Sequence, residues 1–231
     1  MDKKINSLEK ITSKWSYFNK GKRGLIYIKK ENNNLICKKV QNPKSYAIGN
    51  LEKEFNFLKL IHSKLSKKNL ISIPVPIKLF KDSFSYYYIP GKDLISFVDN
   101  TNKRILIKMV KSILKLLYKL DKLGIVKEEM QHPWKHIIFN NSNNNLIYKK
   151  GFYLIDFERC KFSKNPKNVT QFLQFISGQK MELILKKFGI LLNKNKIIKL
   201  SKLYKEELKL YHLKQKNSLS IRFKTIFSYI K

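Results

Sequence analysis

The chain has 231 residues and 43% hydrophobic content, including 15 Phe and 12 Tyr, which suffices for one large domain or two lobes and excludes a disordered chain. No stretch reaches the roughly 18 to 20 uncharged apolar residues of a transmembrane helix, and residues 1–20 lack the apolar segment of a signal peptide. We therefore expect a cytoplasmic protein without a membrane partner. The net charge of +33 indicates phosphate-bearing partners, or equally an AT-rich coding bias, since nearly all of it is Lys.

The first part of the chain is predicted to be rich in strands. Residues 24–40 form two apolar runs around a polar turn, which predicts a hairpin. Two prolines, Pro74 and Pro76, exclude a central strand, whereas short strands are predicted around Phe80 and over residues 84–89. Between these segments, apolar residues at helical spacing predict one helix: Leu51, Phe55, Leu58 and Leu65.

The second part is predicted to be mostly helical, so we place a domain boundary between residues 1–90 and residues 91–231. A long amphipathic helix is predicted over residues 102–123. Two apolar runs, 137–139 and 152–155, then predict a second hairpin. From Thr170 onward the pattern is helical, with breaks at Gly178, Gly189 and Asn193.

A glycine-containing turn opens the first hairpin. The run GKRGLIY at residues 21–27 resembles the second half of the protein kinase glycine loop, in which missing side chains let backbone amides approach nucleotide phosphates. Gly21, Gly24 and Ile26 are therefore candidate nucleotide-binding residues. Taken alone, two glycines in a hairpin are more often simple turn residues.

A lysine in the second strand of this hairpin is the candidate phosphate ligand. The run LICKKV at residues 35–40 is close to the kinase strand motif Val-Ala-Ile-Lys. Period-two alternation predicts that Lys38 points into a cleft, and Lys39 is the alternative if the strand is shifted by one residue. Glu54 on the following helix is the expected ion-pair partner of this lysine, with Glu52 as the alternative.

The loop before the second hairpin resembles the kinase catalytic loop. Residues 127–138, KEEMQHPWKHII, stand where kinases have His-Arg-Asp-Leu followed by Asn-Ile-Leu. Glu129 falls on the Asp that orients the acceptor hydroxyl, and His136 falls on the Asn that binds a second magnesium ion. Lys135 or His136 would contact the transferred phosphate. Alternatively, His132 or His136 only forms hydrogen bonds within the loop.

An acidic residue ends the last strand of the second hairpin. The run FYLIDFE at residues 152–158 resembles the kinase Asp-Phe-Gly motif, with Glu158 in place of Gly. In that position Asp156 would bind the magnesium ion that bridges the nucleotide phosphates. A surface Asp after a buried strand is the alternative interpretation.

Together with Asn168-Val169-Thr170, these motifs resemble the small archaeal serine/threonine protein kinases, a group related to RIO-type kinases and to the kinase of the KEOPS tRNA-modification complex. The resemblance covers roughly residues 21–176. It implies an α+β, protein kinase-like two-lobe fold, with an antiparallel-sheet N-lobe that has one main helix and a mostly helical C-lobe. It also implies ATP and Mg²⁺ as cofactors.

The resemblance further implies particular site residues. The catalytic residues would be Glu129, Lys38 and Asp156. The cofactor-binding residues would be Gly21, Gly24, Ile26, Lys38, Glu54 and Lys135. The metal ligands would be Asp156 and His136.

Three functional hypotheses follow. The first is an ATP-dependent phosphotransferase that acts on a protein or ribonucleoprotein substrate of unknown identity. The second, which the altered catalytic loop motivates, is a nucleotide-binding pseudokinase or ATPase-like subunit of a complex. The third is a basic RNA-binding protein on a kinase-like scaffold, because lysines near the C-terminus alternate with aromatic residues that could stack on bases: Tyr211, Phe223, Phe227 and Tyr229.

Overall fold

The computed structural model describes residues 11–21, 23–44, 51–65, 72–99, 101–141, 147–214 and 218–230. In this part of the chain the strands are β1 (Ser16–Lys20), β2 (Gly24–Glu31), β3 (Asn34–Gln41), β4 (Pro76–Phe80), β5 (Ser83–Tyr87), β6 (Lys92–Asp93), β7 (Ile125–Val126), β8 (Ile137–Asn140), β9 (Gly151–Leu154) and β10 (Lys161–Phe162). The helices are α1 (Leu51–Leu65), α2 (Leu94–Val98), α3 (Lys103–Lys122), α4 (Asn168–Ile176), α5 (Gln179–Lys187), α6 (Lys194–His212) and α7 (Leu219–Tyr229).

The first five strands form one antiparallel sheet in the order β1-β2-β3-β5-β4. The predicted first hairpin is confirmed as β2 and β3. Asn32 and Asn33 connect these strands with φ values of 45° and 62°, the left-handed backbone that a tight hairpin turn needs and that Asn tolerates. Pro76 begins β4 at an edge of the sheet, where no neighbouring strand requires its missing N–H.

Helix α1 packs against one face of this sheet, as its apolar spacing predicts. Its side chains Leu51, Phe55, Leu58 and Ile61 are buried, and the ring of Phe55 meets that of Phe84 on β5 edge-on at 6.0 Å. Each fully buried side chain of this size stabilises the fold by about 1.5 to 3 kcal/mol. The position of α1 is therefore fixed by the sheet face that it covers.

Helix α3 is the central element of the helical half. It begins after Asn102, whose side chain accepts a hydrogen bond from the Ile105 amide at 3.0 Å, and ends before Gly124, whose φ of 69° suits a helix terminus. Helices α4, α6 and α7 pack on it. The predicted second hairpin is confirmed as β8 and β9, although residues 142–146 of its turn lie outside the described residues.

Strand pairing changes near the predicted domain boundary. Strand β5 ends at Tyr87 in the first sheet, whereas β6 pairs with β8 in a separate three-stranded sheet, β6-β8-β9. One apolar core nevertheless contains residues from both halves, including Leu58 of α1 and Leu117 of α3. A division of the chain at residue 90 into two domains stays a prediction. None of the helices in the described ranges is long and apolar enough to cross a membrane.

Candidate active site

Lys39, and not Lys38, faces the acidic residues that follow the second hairpin, Asp156 and Glu158. The predicted pairing of Lys38 with Glu54 is therefore wrong. Lys39 lies opposite Phe84 in the sheet, and cross-strand neighbours point to the same face, so its side chain projects to the side that α1 covers. Lys38 projects to the other side, where its ammonium lies 5.2 Å from the centre of the Trp15 ring. The prediction failed because α1 and the acidic residues lie on the face of the sheet to which Lys39 points, and alternation along β3 does not reveal which face that is.

Lys39 is the centre of a buried ion-pair cluster. Its Nζ lies 2.7 Å from Oε2 of Glu54, 3.2 Å from Oε2 of Glu158 and 3.4 Å from Oδ1 of Asp156. The side chains of Lys39 and Glu54 are 12% and 4% exposed. We call these four residues the Lys39 cluster. Glu52, the alternative partner, is exposed and lies outside the cluster.

Glu54 connects the cluster to the backbone of the Asp-Phe-Glu segment. While its Oε2 accepts from Lys39, its Oε1 accepts a hydrogen bond from the amide of Phe157 at 2.9 Å. Helix α1 thereby holds both the lysine on β3 and the segment after β9. A change at Glu54 would loosen both.

The glycine-containing turn lies close to Lys39. The amide of Gly21 donates to the carbonyl of Gly24 at 2.8 Å, and Ile26 pairs with Lys39 across β2 and β3. A Cβ on Gly24 would lie only 3.0 Å from Cε of Lys39, so the missing side chain makes room for the lysine stem. Arg23 of the same turn reaches Glu158, with 3.2 Å between Nη1 and Oε1.

Two residues of the site have strained backbones. Asp156 and Glu129 have φ values of 63° and 70°, in the left-handed region that residues with a Cβ seldom adopt. In the described part of the chain the other residues of this kind, glycine apart, are Asn32 and Asn33 of the hairpin turn and Lys214 after a helix. Strain of this kind costs on the order of 1–3 kcal/mol and concentrates at functional sites.

Glu129 and His136 form a second group next to the Lys39 cluster. Nε2 of His136 lies 3.5 Å from Oε2 of Glu129 and 3.8 Å from Oδ2 of Asp156. Arg159 binds the other oxygen of Glu129, with 2.5 Å between Nη1 and Oε1. The catalytic-loop residue Glu129 is thus placed beside the Asp156 segment. Lys135 is exposed to solvent.

A buried lysine lies beneath this site. Lys127 is 1% exposed, its ammonium lies 5.3 Å from the ring centre of Phe157, and its Nζ has no hydrogen-bond partner among the described residues. Burial lowers the pKa of Lys127, and the negative charge of Asp156 opposes this effect. No signal in the sequence distinguishes Lys127 from the many other lysines of the chain.

The charges of the site shift several pKa values. Burial works against the charge of Lys39, yet Glu54 and Asp156 hold the pKa of its ammonium above the ordinary value. Burial likewise opposes ionisation of Asp156, but Lys39 and Lys127 keep the pKa of its carboxyl below the ordinary value. Burial and the charge of Lys127 lower the pKa of His136, so its imidazole is neutral at pH 7. At neutral pH Asp156 is therefore an anion, and with 43% of its side chain exposed it can bind a ligand.

The carboxylates of the site suit a hard cation. Oxygen atoms of Glu54, Asp156 and Glu158 lie within 4.8 Å of one another, and carboxylate oxygens are the ligands that Mg²⁺ prefers in proteins. Glu158, predicted only to replace the Gly of the kinase motif, belongs to this group. The predicted ligand His136 lies next to Asp156 but outside the group. The residues present therefore fit a magnesium ion.

No family model matches the chain. The chain is 37% identical over 92 residues to a protein of Methanocaldococcus jannaschii described as uncharacterized protein MJ1211, a match that covers 40% of this chain and 72% of that protein. Among solved structures, it is similar to a complex of the Rio2 kinase from Chaetomium thermophilum with ADP, Mg²⁺ and phosphoaspartate, with a TM-score of 0.53 at 13% identity over 98% of this chain and 73% of that chain.

A structure of WaaP in complex with acyl carrier protein has a TM-score of 0.49 at 10% identity and covers 88% of this chain and 92% of that chain. The likeness to Rio2, together with the antiparallel sheet and the helical second half, confirms the predicted protein kinase-like fold.

Proposed function

The chain belongs to the same family as the Methanocaldococcus jannaschii protein MJ1211, and we propose that it is an ATP- and magnesium-dependent phosphotransferase of the atypical serine/threonine kinase type. The observation that carries this proposal is the Lys39 cluster, in which an ammonium from the first hairpin meets carboxylates that follow the second hairpin. Phosphoryl transfer requires mainly positioning and charge neutralisation, which such a cluster can supply.

In this proposal Lys39 binds phosphate oxygens of ATP and Glu54 holds Lys39 in place. The 2.7 Å contact with Glu54 is the shortest of its three carboxylate contacts and would persist when nucleotide binds. The longer contacts with Glu158 and Asp156 are those that phosphate oxygens replace. The amides of Gly21 and Gly24 would then be near the phosphates, because Gly24 adjoins the Lys39 stem.

Asp156 and Glu158 would hold the magnesium ion. A magnesium ion held there would neutralise part of the charge on the phosphates. Glu158 contacts both Lys39 and Arg23; if its carboxylate held a metal ion instead, both cations would be available to phosphate oxygens. Glu158 thus links metal binding to the release of two phosphate ligands.

Glu129 would orient the acceptor hydroxyl of a serine or threonine. Its strained backbone and its place beside His136 support this role. The side chain of Glu is one methylene longer than that of the Asp in well-studied kinases, and the left-handed backbone changes the direction from which it approaches the site. Neutral His136, next to both Glu129 and Asp156, can donate a hydrogen bond from its N–H to an oxygen of the transferred phosphate.

Two adjacent lysines give a matched test of this proposal. Lys39→Met removes the ammonium of the cluster, whereas Lys38→Met removes one from the opposite face of the same strand. We expect Lys39→Met and Asp156→Asn to reduce magnesium-dependent ATP turnover on the order of 10² to 10³-fold, the effect of deleting a preorganised electrostatic group. Lys38→Met should stay within about twofold. Equal losses in the two lysine variants, or full activity of Lys39→Met, would refute the proposal.

A nucleotide-binding subunit without transfer activity is the second candidate, because an ion pair with Arg159 already engages Glu129. Measuring ATP affinity and transferred phosphate on the same samples separates the two functions. A phosphotransferase should lose transfer but keep ATP affinity in Glu129→Gln. If the wild-type protein binds ATP with magnesium and transfers no phosphate to protein, water or itself, the second candidate is correct.

A further inference from the structure

Helix α3 carries a line of cations along the side opposite its buried face. Six basic residues follow one another at spacings of three or four: Arg104, Lys108, Lys111, Lys115, Lys119 and Lys122. At 3.6 residues per turn they lie within a sector of about 80°, and at 1.5 Å per residue they extend over about 27 Å. Lys111 is half-buried and the other five are exposed. We call these six residues the α3 stripe.

No acidic side chain neutralises the α3 stripe within the described ranges. The one acidic residue of α3, Asp121, is buried, and its carboxylate accepts hydrogen bonds from Asn168, Val169 and Tyr204. None of the six cations forms a hydrogen bond or an ion pair with a described residue. Their positive charges are therefore available to an external anion.

Aromatic rings beneath the α3 stripe fix some of its ammonium groups. The Phe227 ring lies 5.1 Å from the ammonium of Lys111 and 4.9 Å from that of Lys115. The ammonium of Lys122 lies 5.8 Å from the Tyr118 ring and 5.4 Å from the Tyr211 ring. Cation–π contacts at exposed sites are worth about 0.5 to 1 kcal/mol each, so these flexible side chains lose less freedom when they bind a ligand.

We propose that the α3 stripe binds the phosphate backbone of a double-stranded nucleic acid. A straight line of cations about 27 Å long on a rigid helix matches regularly spaced phosphates, and neutralising them releases condensed counterions. Contacts of this kind carry no sequence information, so binding should not depend on sequence.

The aromatic rings near the α3 stripe do not favour a single-stranded nucleic acid as the ligand. Stacking on bases requires open ring faces. Phe223 is 8% exposed and stacks on Tyr118 at 4.1 Å, and lysines cover Phe227. The aromatic residues that the sequence offered as stacking platforms are therefore partly occupied within the fold.

The structure supports an anionic membrane less well than a nucleic acid as the ligand of the α3 stripe. Helices that bind membrane surfaces insert an apolar face between the lipids. The apolar face of α3, including Leu106, Ile113 and Leu117, is instead buried in the protein core. The proposed surface includes no residue of the Lys39 cluster, so the two proposals can fail separately.

The test compares two triple variants of equal net charge. The stripe variant carries Lys108→Gln, Lys115→Gln and Lys119→Gln. The control variant carries Lys30→Gln, Lys81→Gln and Lys150→Gln, which replace exposed lysines elsewhere. Fluorescence anisotropy with labelled duplex RNA, duplex DNA and single-stranded RNA over a series of salt concentrations gives affinities and salt slopes, and thermal unfolding and ATP turnover serve as checks of folding.

For wild type we expect a slope of log K against log salt near −5 on a duplex if all six cations engage phosphates. The stripe variant should lower the magnitude of this slope by about 3 and weaken binding at least about tenfold at low salt, whereas the control stays near wild type. Lys→Arg at the three stripe positions should retain the slope. Comparing the affinities for duplex RNA and duplex DNA shows which of the two the α3 stripe binds more tightly.

Equal weakening in the stripe and control variants would overturn the proposal, since binding would then follow net charge alone. Tighter binding to single-stranded RNA than to either duplex would overturn it as well. The same holds for stripe-dependent binding to phosphatidylserine vesicles without binding to a duplex.

Discussion

Removing the ammonium of Lys39 should destabilise the protein far more than removing that of its neighbour Lys38. In Lys39→Met the carboxylate of Glu54, 4% exposed, loses its 2.7 Å partner and keeps the Phe157 amide. Breaking a buried ion pair by deleting one partner costs about 3 to 5 kcal/mol. Lys38→Met removes only an ammonium that lies 5.2 Å from the centre of the Trp15 ring and 5.9 Å from that of the Phe80 ring, contacts worth about 0.5 to 1 kcal/mol each. We therefore expect the variants to differ by about 3 kcal/mol.

The pH dependence of this difference follows from Glu54. Burial raises the pKa of Glu54 and the charge of Lys39 opposes this, so removing Lys39 raises it further. A carboxyl whose folded pKa exceeds its unfolded value contributes stability below the unfolded pKa and loses it as pH rises through the folded pKa. Because the pKa of Lys39 is raised in the wild type, its ammonium is charged at both pH 5 and pH 8. Its contribution to the free energy of unfolding is therefore the same at the two pH values. The deficit of Lys39→Met should therefore be larger at pH 8 than at pH 5.

Urea denaturation of wild type, Lys39→Met and Lys38→Met at pH 5 and pH 8 measures these free energies of unfolding. For a chain of this length, 3 kcal/mol corresponds to a fall in Tm of about 6 to 12 °C. A deficit of Lys38→Met that equals that of Lys39→Met would refute the assignment of Lys39 to the buried cluster. A deficit of Lys39→Met that grows toward pH 5 would refute the role given to Glu54.

Three further predictions concern two residues next to Lys39 and one buried aspartate of α3. Gly24→Ala places a Cβ 3.0 Å from Cε of Lys39, so we expect ATP affinity to fall about tenfold while the free energy of unfolding changes by about 1 kcal/mol or less; unchanged affinity in a nucleotide titration would contradict this. Glu158→Gln should raise the magnesium concentration for half-maximal ATP binding at least about tenfold, because it removes a proposed ligand, and a magnesium titration that overlays wild type would count against that ligand. Asp121→Asn should lower the free energy of unfolding by about 2 kcal/mol, because its amide group would face the donors that now bind the carboxylate; urea curves that coincide with wild type would exclude a structural role for these bonds.

Local signals predicted much of the scaffold. The first hairpin follows from a polar turn between apolar runs, and α1 follows from its apolar spacing, which also put Glu54 on the correct helix. The prediction of Asp156 follows from an apolar strand, which ends at Leu154, and the Asp-Phe pair shortly after it. Each of these features depends on neighbours within a few residues.

The parts that sequence reasoning missed depend on contacts between distant segments. Alternation separates Lys38 from Lys39 but does not say which face of the sheet α1 and the second hairpin share. The contact between Arg23 and Glu158 joins residues 135 positions apart. The ammonium of Lys127 lies 5.3 Å from the ring centre of Phe157, which comes from another loop.

A crystal structure with a non-hydrolysable ATP analogue and magnesium tests the central claim most directly. We predict Nζ of Lys39 within hydrogen-bond distance of a phosphate oxygen, Glu54 still bound to Lys39, and oxygens of Asp156 and Glu158 at about 2.1 Å from the metal. A nucleotide held by Lys38, or bound away from Asp156, would contradict the account.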